Sequence, residues 1–392
     1  MKQATTEKIT MPDHTEQLAA LITPCLLIDE VKMSRNIDHL AKRARELGVV
    51  LRPHLKTVKS VDAARRQLDG GNGPATVSTL AEAEIFAAAG INDIVYAVGI
   101  APQKLPRVIA LRQSGCNLAV ILDSVEQAEA VAAASEESGC SIPAMIEIDS
   151  DGHRSGLLPN DLTIVQIGRI LNEGGAQIRG VLAHAGESYG AVSDDEKAAF
   201  AEQERAAVVA AANALLADGL PCPVVSVGST PTAHYAKDLT GVNEMRAGVY
   251  VFFDLVMAGI NVCSEDDIAL SVLTTVIGHQ KKREWIIVDA GWMAMSRDRG
   301  TAAQLVDQGY GVVCDINGNV LPDLIVTQAN QEHGVIAKRP GSTGTIPQLA
   351  LGTQLRILPN HACATAAQHN AYHVVPADKQ APLLNWPRFG GW

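Results

Sequence analysis

Between residues 49 and 251 the chain alternates eight short β-branched runs with alanine-rich helical stretches, and this alternation constrains the fold more than any other feature. The strand-like runs fall at 49–56, 75–79, 93–98, 118–122, 144–149, 180–184, 224–228 and 245–251. Helical stretches between them include 81–89, 124–135 and 193–217. Eight strands with intervening helices is the count of a (β/α)8 TIM barrel, predicted here over 35–263. A doubly wound sheet is the alternative, but it usually carries a GxGxxG turn after its first strand, and none is present.

After about Ser264 the character changes. Short strand-like runs at 268–277, 285–288, 311–314, 323–328, 333–336 and 354–357 are separated by Gly, Pro and Asn turns, with no long amphipathic helix. That pattern predicts an all-β domain. Pro24-Cys-Leu-Leu-Ile-Asp29 reads as a strand outside the barrel, so the β domain is assigned 23–34 with 264–392. Residues 1–22 are expected to be a flexible tail, with Met11 an alternative start.

Composition narrows the function classes. Of the 392 residues, 47% are hydrophobic and only 19% charged, which describes a well-buried globular protein and excludes disorder over most of the chain. A net charge of −11 argues against a nucleic-acid partner, whose phosphates need a basic footprint. No apolar run is long enough to span a bilayer, and residues 1–20 lack a secretory apolar segment. Seven scattered cysteines without a CxxC pair fit a reducing cytoplasm rather than a disulfide framework.

Barrels present functional groups at the C-terminal ends of their strands. Arg52-Pro53-His54-Leu55-Lys56-Thr57 puts a lysine where the first run breaks. The other strand ends supply Thr79 or Glu82, Asp123, Arg154, His184, Gly228-Ser229-Thr230 and Tyr250. The Gly228-Ser-Thr-Pro-Thr232 loop offers backbone N–H groups and three hydroxyls at a predicted helix start, the chemistry that holds a phosphate. A strand-end lysine with a phosphate cradle points to pyridoxal phosphate, which needs a Schiff-base lysine and such a loop. His184 stands equally as a site residue or as packing, Lys59 reads as solvated, and His153 as a local hydrogen-bond partner.

Seven motifs in a fixed order carry a resemblance. They are Thr23-Pro-Cys-Leu-Leu-Ile-Asp29, Arg52-Pro-His-Leu-Lys56-Thr57, Asp149-Ser-Asp-Gly-His-Arg154-Ser-Gly156, Met245-Arg-Ala-Gly248-Val-Tyr250, Val288-Asp-Ala-Gly291, Glu332-His333-Gly334 and Pro359-Asn-His361-Ala-Cys363. The chain resembles the fold type III pyridoxal-phosphate enzymes, in their D-threonine aldolase and D-serine dehydratase branch. The resemblance implies that Lys56 forms the Schiff base and that Arg154 faces the pyridine nitrogen. It places His54, His184, Gly228, Ser229, Thr230 and Tyr250 around the cofactor. It makes His361 and Cys363 the ligands of a divalent metal (Mg²⁺, Mn²⁺ or Zn²⁺), with Lys56 and His361 catalytic, and implies a homodimer.

A bottom-up check supports the metal pair, because residues i and i+2 of an extended chain project to one side. A thiolate with an imidazole suits zinc or another first-row ion better than magnesium. His369 and His373 trail the pair. The substrate expected is a small hydroxy amino acid. The sequence looks closest to hydroxyaspartate-acting members, which predicts an aldolase splitting 3-hydroxy-D-aspartate into glycine and glyoxylate. Arg297 and Arg299 are candidates for holding the second carboxylate, or plain surface charges. A D-serine or 3-hydroxyaspartate dehydratase is the alternative, and a D-threonine aldolase comes third.

Overall fold

A computed structural model describes residues 13–68 and 71–392, which divide into two compact units. One comprises Ser34–Asp267 with Pro387–Trp392, and the other comprises 13–33 with Ile268–Trp386. Of the expected tail, 1–12 lie outside the described residues, as does Met11. Residues His14–Ala19 instead form a helix, N-capped by the Asp13 carboxylate on the Glu16 N–H.

The first strand, β1 (Cys25–Asp29), belongs to the second unit. The larger unit is a parallel barrel of β2 (Val50–Pro53), β3 (Ala75–Val77), β4 (Asp93–Gly99), β5 (Asn117–Leu122), β6 (Pro143–Ile148), β7 (Gln177–Ala183), β8 (Val224–Val227) and β9 (Glu244–Ala247). Neighbours in the chain are neighbours in the sheet, and β9 returns to pair with β2. Closure is made by a parallel bridge between His54 and Thr76 and by the Leu55 N–H on the Thr76 carbonyl at 2.8 Å. Each strand follows the sequence reading within a few residues, because β-branched runs buried on both faces leave little ambiguity.

The interior is apolar on one side and charged on the other. Val95, Ala119, Ile121, Met145 and Leu182 pack together. Beside β2 and β9 the filling is ionic: Arg52 Nε donates to Glu244 Oε2 at 2.6 Å and its Nη2 to Asp93 Oδ2 at 3.1 Å. Ser226 Oγ donates to Glu244 Oε1 at 2.8 Å and accepts from Arg246 Nη1 at 2.8 Å. Glu244 and Arg246 sit two apart, so the strand period sends both to one face.

In the second unit, β10 (Leu270–Gln280), β11 (Trp285–Val288), β12 (Val312–Cys314), β13 (Val320–Ala329), β14 (Gly334–Lys338) and β15 (Gln354–Leu358) form an antiparallel ring. It closes because β10 pairs with both β11 and β15. β1 lies antiparallel to β10 and parallel to β16 (Ala371–Val375), with β17 (Leu384–Pro387) outermost. The sequence reading missed β16 and β17, which are short and flanked by mixed polar residues.

Removing one partner of a buried ion pair leaves the other charge uncompensated. Arg52→Ala should therefore cost about 3–5 kcal/mol, read as a lower urea midpoint for the barrel at unchanged slope.

Candidate active site

Lys56 stands three residues beyond β2, exposed, in a turn held by the Val58 N–H on the Leu55 carbonyl at 3.1 Å. Its own backbone N–H donates to His54 Nδ1 at 3.4 Å. Burial pushes the His54 imidazole well below its ordinary range, and nearby Lys56, Arg246, His184 and Arg154 add to the shift. His54 is therefore neutral, with Nδ1 accepting and, by inference from that contact, Nε2 protonated.

Across the mouth, His184 directly follows β7 and its Nδ1 donates to the Gly228 carbonyl at 2.5 Å. Burial lowers its pKa to about 3. The carbonyl fixes the opposite tautomer, leaving Nε2 as an acceptor. The mouth thus holds one uncharged donor and one uncharged acceptor.

The loop after β8 is shaped from below by Glu204, a fully buried carboxylate. Its Oε1 accepts from the Gly228 N–H at 2.8 Å and the Ala185 N–H at 3.1 Å, and its Oε2 from Thr232 Oγ1 at 2.8 Å. Gly228 is required by close approach, since a Cβ there would lie 2.3 Å from the Arg246 carbonyl oxygen. Ser229 caps the helix Thr230–Tyr235 by accepting from the Thr232 N–H at 3.1 Å, and it also meets Ser188 Oγ at 2.9 Å. Thr230 Oγ1 and the Tyr250 hydroxyl are buried with no hydrogen-bond partner. Two orphaned buried hydroxyls, one of them in the Gly228 loop, suit a phosphate group that would satisfy them. The residues present fit the cofactor.

Arg154 lies in the loop after β6, where its Nη2 is 4.0 Å from Glu147 Oε1 and its side chain is 54% exposed. That loop folds back through Gly156, whose N–H donates to Asp123 Oδ2 at 2.8 Å. Gly156 has φ +108°, and a Cβ would meet the Asp149 nitrogen at 2.5 Å. His153 pairs with Glu187 at 2.8 Å, as a local partner should. Lys59 is not solvated: its Nζ is 3.1 Å from buried Glu82 Oε1. Thr79 caps the helix Leu80–Ala88. Thr79 and Glu82 are thereby engaged in structure.

In the second unit, His361 is the N-cap of the helix Ala362–Ala366 and Cys363 lies inside it. The extended-chain argument for the pair is thus corrected, since a helix begins between them. His361 Nδ1 contacts Asp298 Oδ2 at 2.6 Å, and that bond holds the Asp298 carboxyl below its usual range. A carboxylate on one ring nitrogen orients the other toward a metal. The sequence reading passed over Asp298, the partner of His361, although it sits between the two arginines singled out. Arg299 pairs with Asp307 at 2.7 Å and lies over the Tyr310 ring, while Arg297 lies over Trp292. His369 Nε2 bonds the Ala294 carbonyl at 2.8 Å, and His373 is in β16. No cluster of three or more His, Cys, Asp and Glu able to hold an ion exists among the described residues. An ion held by His361 and Cys363 alone would leave its other positions to water or substrate.

Comparison with known proteins follows the same division. Residues 28–256 match the alanine racemase N-terminal domain, and 269–375 match the putative serine dehydratase domain. D-threo-3-hydroxyaspartate dehydratase of Delftia sp. (strain HT23) is 54% identical over 96% of this chain and all of its own. Its solved structure superposes with a TM-score of 0.93. Further structures of that enzyme include a cysteine-to-alanine mutant described in the metal-free form and a histidine-to-alanine mutant two positions before it. D-serine dehydratase of Dictyostelium discoideum is 29% identical over 94% of this chain and 97% of its own. The 3-hydroxy-D-aspartate aldolase of Paracoccus denitrificans (strain Pd 1222) is 28% identical over 93% and 91%. These findings correct the expected aldolase, and with it the expected carbon–carbon lyase: the 54% identity over nearly the whole chain is to a dehydratase, and the aldolases are distant.

His184 is neutral when folded and protonates below about 6.5 when unfolded. The unfolded chain therefore binds more protons between pH 6.5 and about 3, and stability falls as pH drops through that window. His184→Asn should flatten the pH dependence of the urea midpoint there.

Proposed function

The chain belongs to the alanine racemase-like, fold type III pyridoxal-phosphate family, and from that premise we propose that it is a dehydratase of D-threo-3-hydroxyaspartate, releasing oxaloacetate and ammonia. What carries this reading is the likeness to a dehydratase over nearly the whole of both chains.

The cofactor's phosphate would be held by the Gly228–Thr232 loop, with Thr230 Oγ1 and the Tyr250 hydroxyl as donors. Lys56 would be its covalent anchor and Arg154 the partner of its ring nitrogen. Bound there, pyridoxal phosphate draws electrons from the substrate α-carbon and acidifies its proton. Lys56 Nζ takes that proton as the general base. His54 and His184, held neutral, offer an uncharged donor and acceptor to substrate oxygens. His361, oriented by Asp298, and Cys363 would hold a divalent ion acting as Lewis acid for the departing hydroxyl. Loss of water followed by hydrolysis of the resulting imine gives the keto acid and ammonia. The reading carries with it a cytoplasmic homodimer. No helix among the described residues is long and apolar enough to cross a membrane.

Purified protein supplied with pyridoxal phosphate and Mg²⁺, Mn²⁺ or Zn²⁺ in parallel should convert D-threo-3-hydroxyaspartate to oxaloacetate and ammonia in equal amounts. Glycine and glyoxylate as products would overturn the reading. D-Serine offered in parallel, with pyruvate as readout, separates the two dehydratase specificities. Lys56→Ala should abolish turnover and the yellow, borohydride-bleachable colour.

Chelation should also silence the enzyme, and added metal should restore it. Cys363→Ala and His361→Ala should each leave the purified protein without stoichiometric metal in elemental analysis. Retained metal in both would remove these residues as ligands.

A further inference from the structure

The segment Pro387–Trp392 begins at the last residue of β17 yet belongs to the barrel unit. It lies against the turn that carries Lys56. Arg388 Nε donates to the Val58 carbonyl at 3.2 Å, and the Phe389 N–H donates to the Lys59 carbonyl at 3.0 Å. The Phe389 ring meets fully buried Phe86 edge-on, with centroids 5.1 Å apart and planes at 73°. Farther along, Arg107 Nη1 donates to the Trp392 carbonyl at 3.2 Å.

The turn needs such support. Its inner half is tied to the barrel by the Leu55 N–H on Thr76, and the Val58 and Lys59 N–H groups both return to the Leu55 carbonyl. Lys59 adopts φ +40°, a left-handed conformation that a lysine backbone disfavours. Its Nζ is drawn to Glu82, and its carbonyl accepts from Phe389. Thr57 and Val58 are fully buried, whereas Lys56 between the two tethers is exposed. The backbone on both sides of Lys56 is therefore fixed, and only its side chain projects.

We propose that Pro387–Trp392 is a strap that sets the geometry of the Lys56 turn, with Arg388 and Phe389 as positioning residues for the Lys56 amine. This rests on the reading of Lys56 as the cofactor-binding lysine. The strap moves no proton and touches no substrate. It holds the outer carbonyls of the turn, those of Val58 and Lys59, and so restricts displacement of the nearby Lys56 Cα. A misplaced reacting group costs rate far more than it costs binding.

The test uses the full chain loaded with pyridoxal phosphate, comparing wild type with Phe389→Ala, Arg388→Ala and the conservative Phe389→Tyr and Arg388→Lys. For the alanine variants kcat should fall roughly ten- to hundredfold while KM stays nearly constant. The pH midpoint of the yellow, lysine-bound chromophore should shift, and Phe389→Tyr and Arg388→Lys should restore both. Alanine variants that keep the wild-type kcat and chromophore midpoint would overturn the strap alone. Loss of activity that tracks only the thermal midpoint, with an unmoved chromophore titration, would overturn it too. Should an alanine variant fail to fold, Arg388→Gln decides by the same two readouts. Wild-type colour that survives Lys56→Ala would remove the premise about Lys56 itself.

Discussion

The mouth of the barrel depends on one buried carboxylate. Glu204 binds the first residues after β7 and β8 at once, through the Ala185 and Gly228 N–H groups, and then reaches Thr232. Both its oxygens act as acceptors, which is the role of the ionised form. Burial raises its pKa, and the hydrogen bonds together with the nearby Arg246 guanidinium oppose that rise. With those two loops clasped, the Gly228 carbonyl faces His184 and fixes its tautomer. Thr230 Oγ1 is left without a protein partner. Unsatisfied buried hydroxyls are costly, so Thr230 Oγ1 and the Tyr250 hydroxyl suit an occupant that would satisfy them.

The fold was legible because its signal is repetitive. Eight β-branched runs alternating with helices recur often enough that errors at single boundaries do not matter. Lys56, His184 and the Gly228 loop were found by asking what stands at strand ends. The charged interior was not found that way, although its signal was present. Arg52, Glu244 and Arg246 break apolar runs at the period of a strand, and inward charges at that spacing have to pair with one another. Glu204 was harder still. Within the long helix Asp194–Ala217 it looks like one more solvated acid, and only the packing of that helix against the barrel sets it apart.

Local context also explains the misread details. His361 and Cys363 were taken as neighbours on an extended chain, but a helix starts at Ala362 and reorients the second residue. Asp298, not one of the trailing histidines, is what orients His361. Lys59 was read as solvated, whereas its ion partner comes from the helix Leu80–Ala88, at Glu82. In the last two cases the decisive contact was separated in sequence by more than a motif can reach.

The choice between dehydratase and aldolase has the same origin. A lysine base, a phosphate cradle and a metal pair serve both reactions, because each begins by making one bond to the substrate α-carbon electron-poor. Motifs assembled from those groups identify the shared chemistry and cannot rank its outcomes. Which bond lies aligned for cleavage is set by the walls around the substrate, and those walls come from many strands and loops. Agreement spread over the whole chain is thus the appropriate measure of outcome. By that measure the water-eliminating relative, at 54% identity, stands apart from the aldolase at 28%.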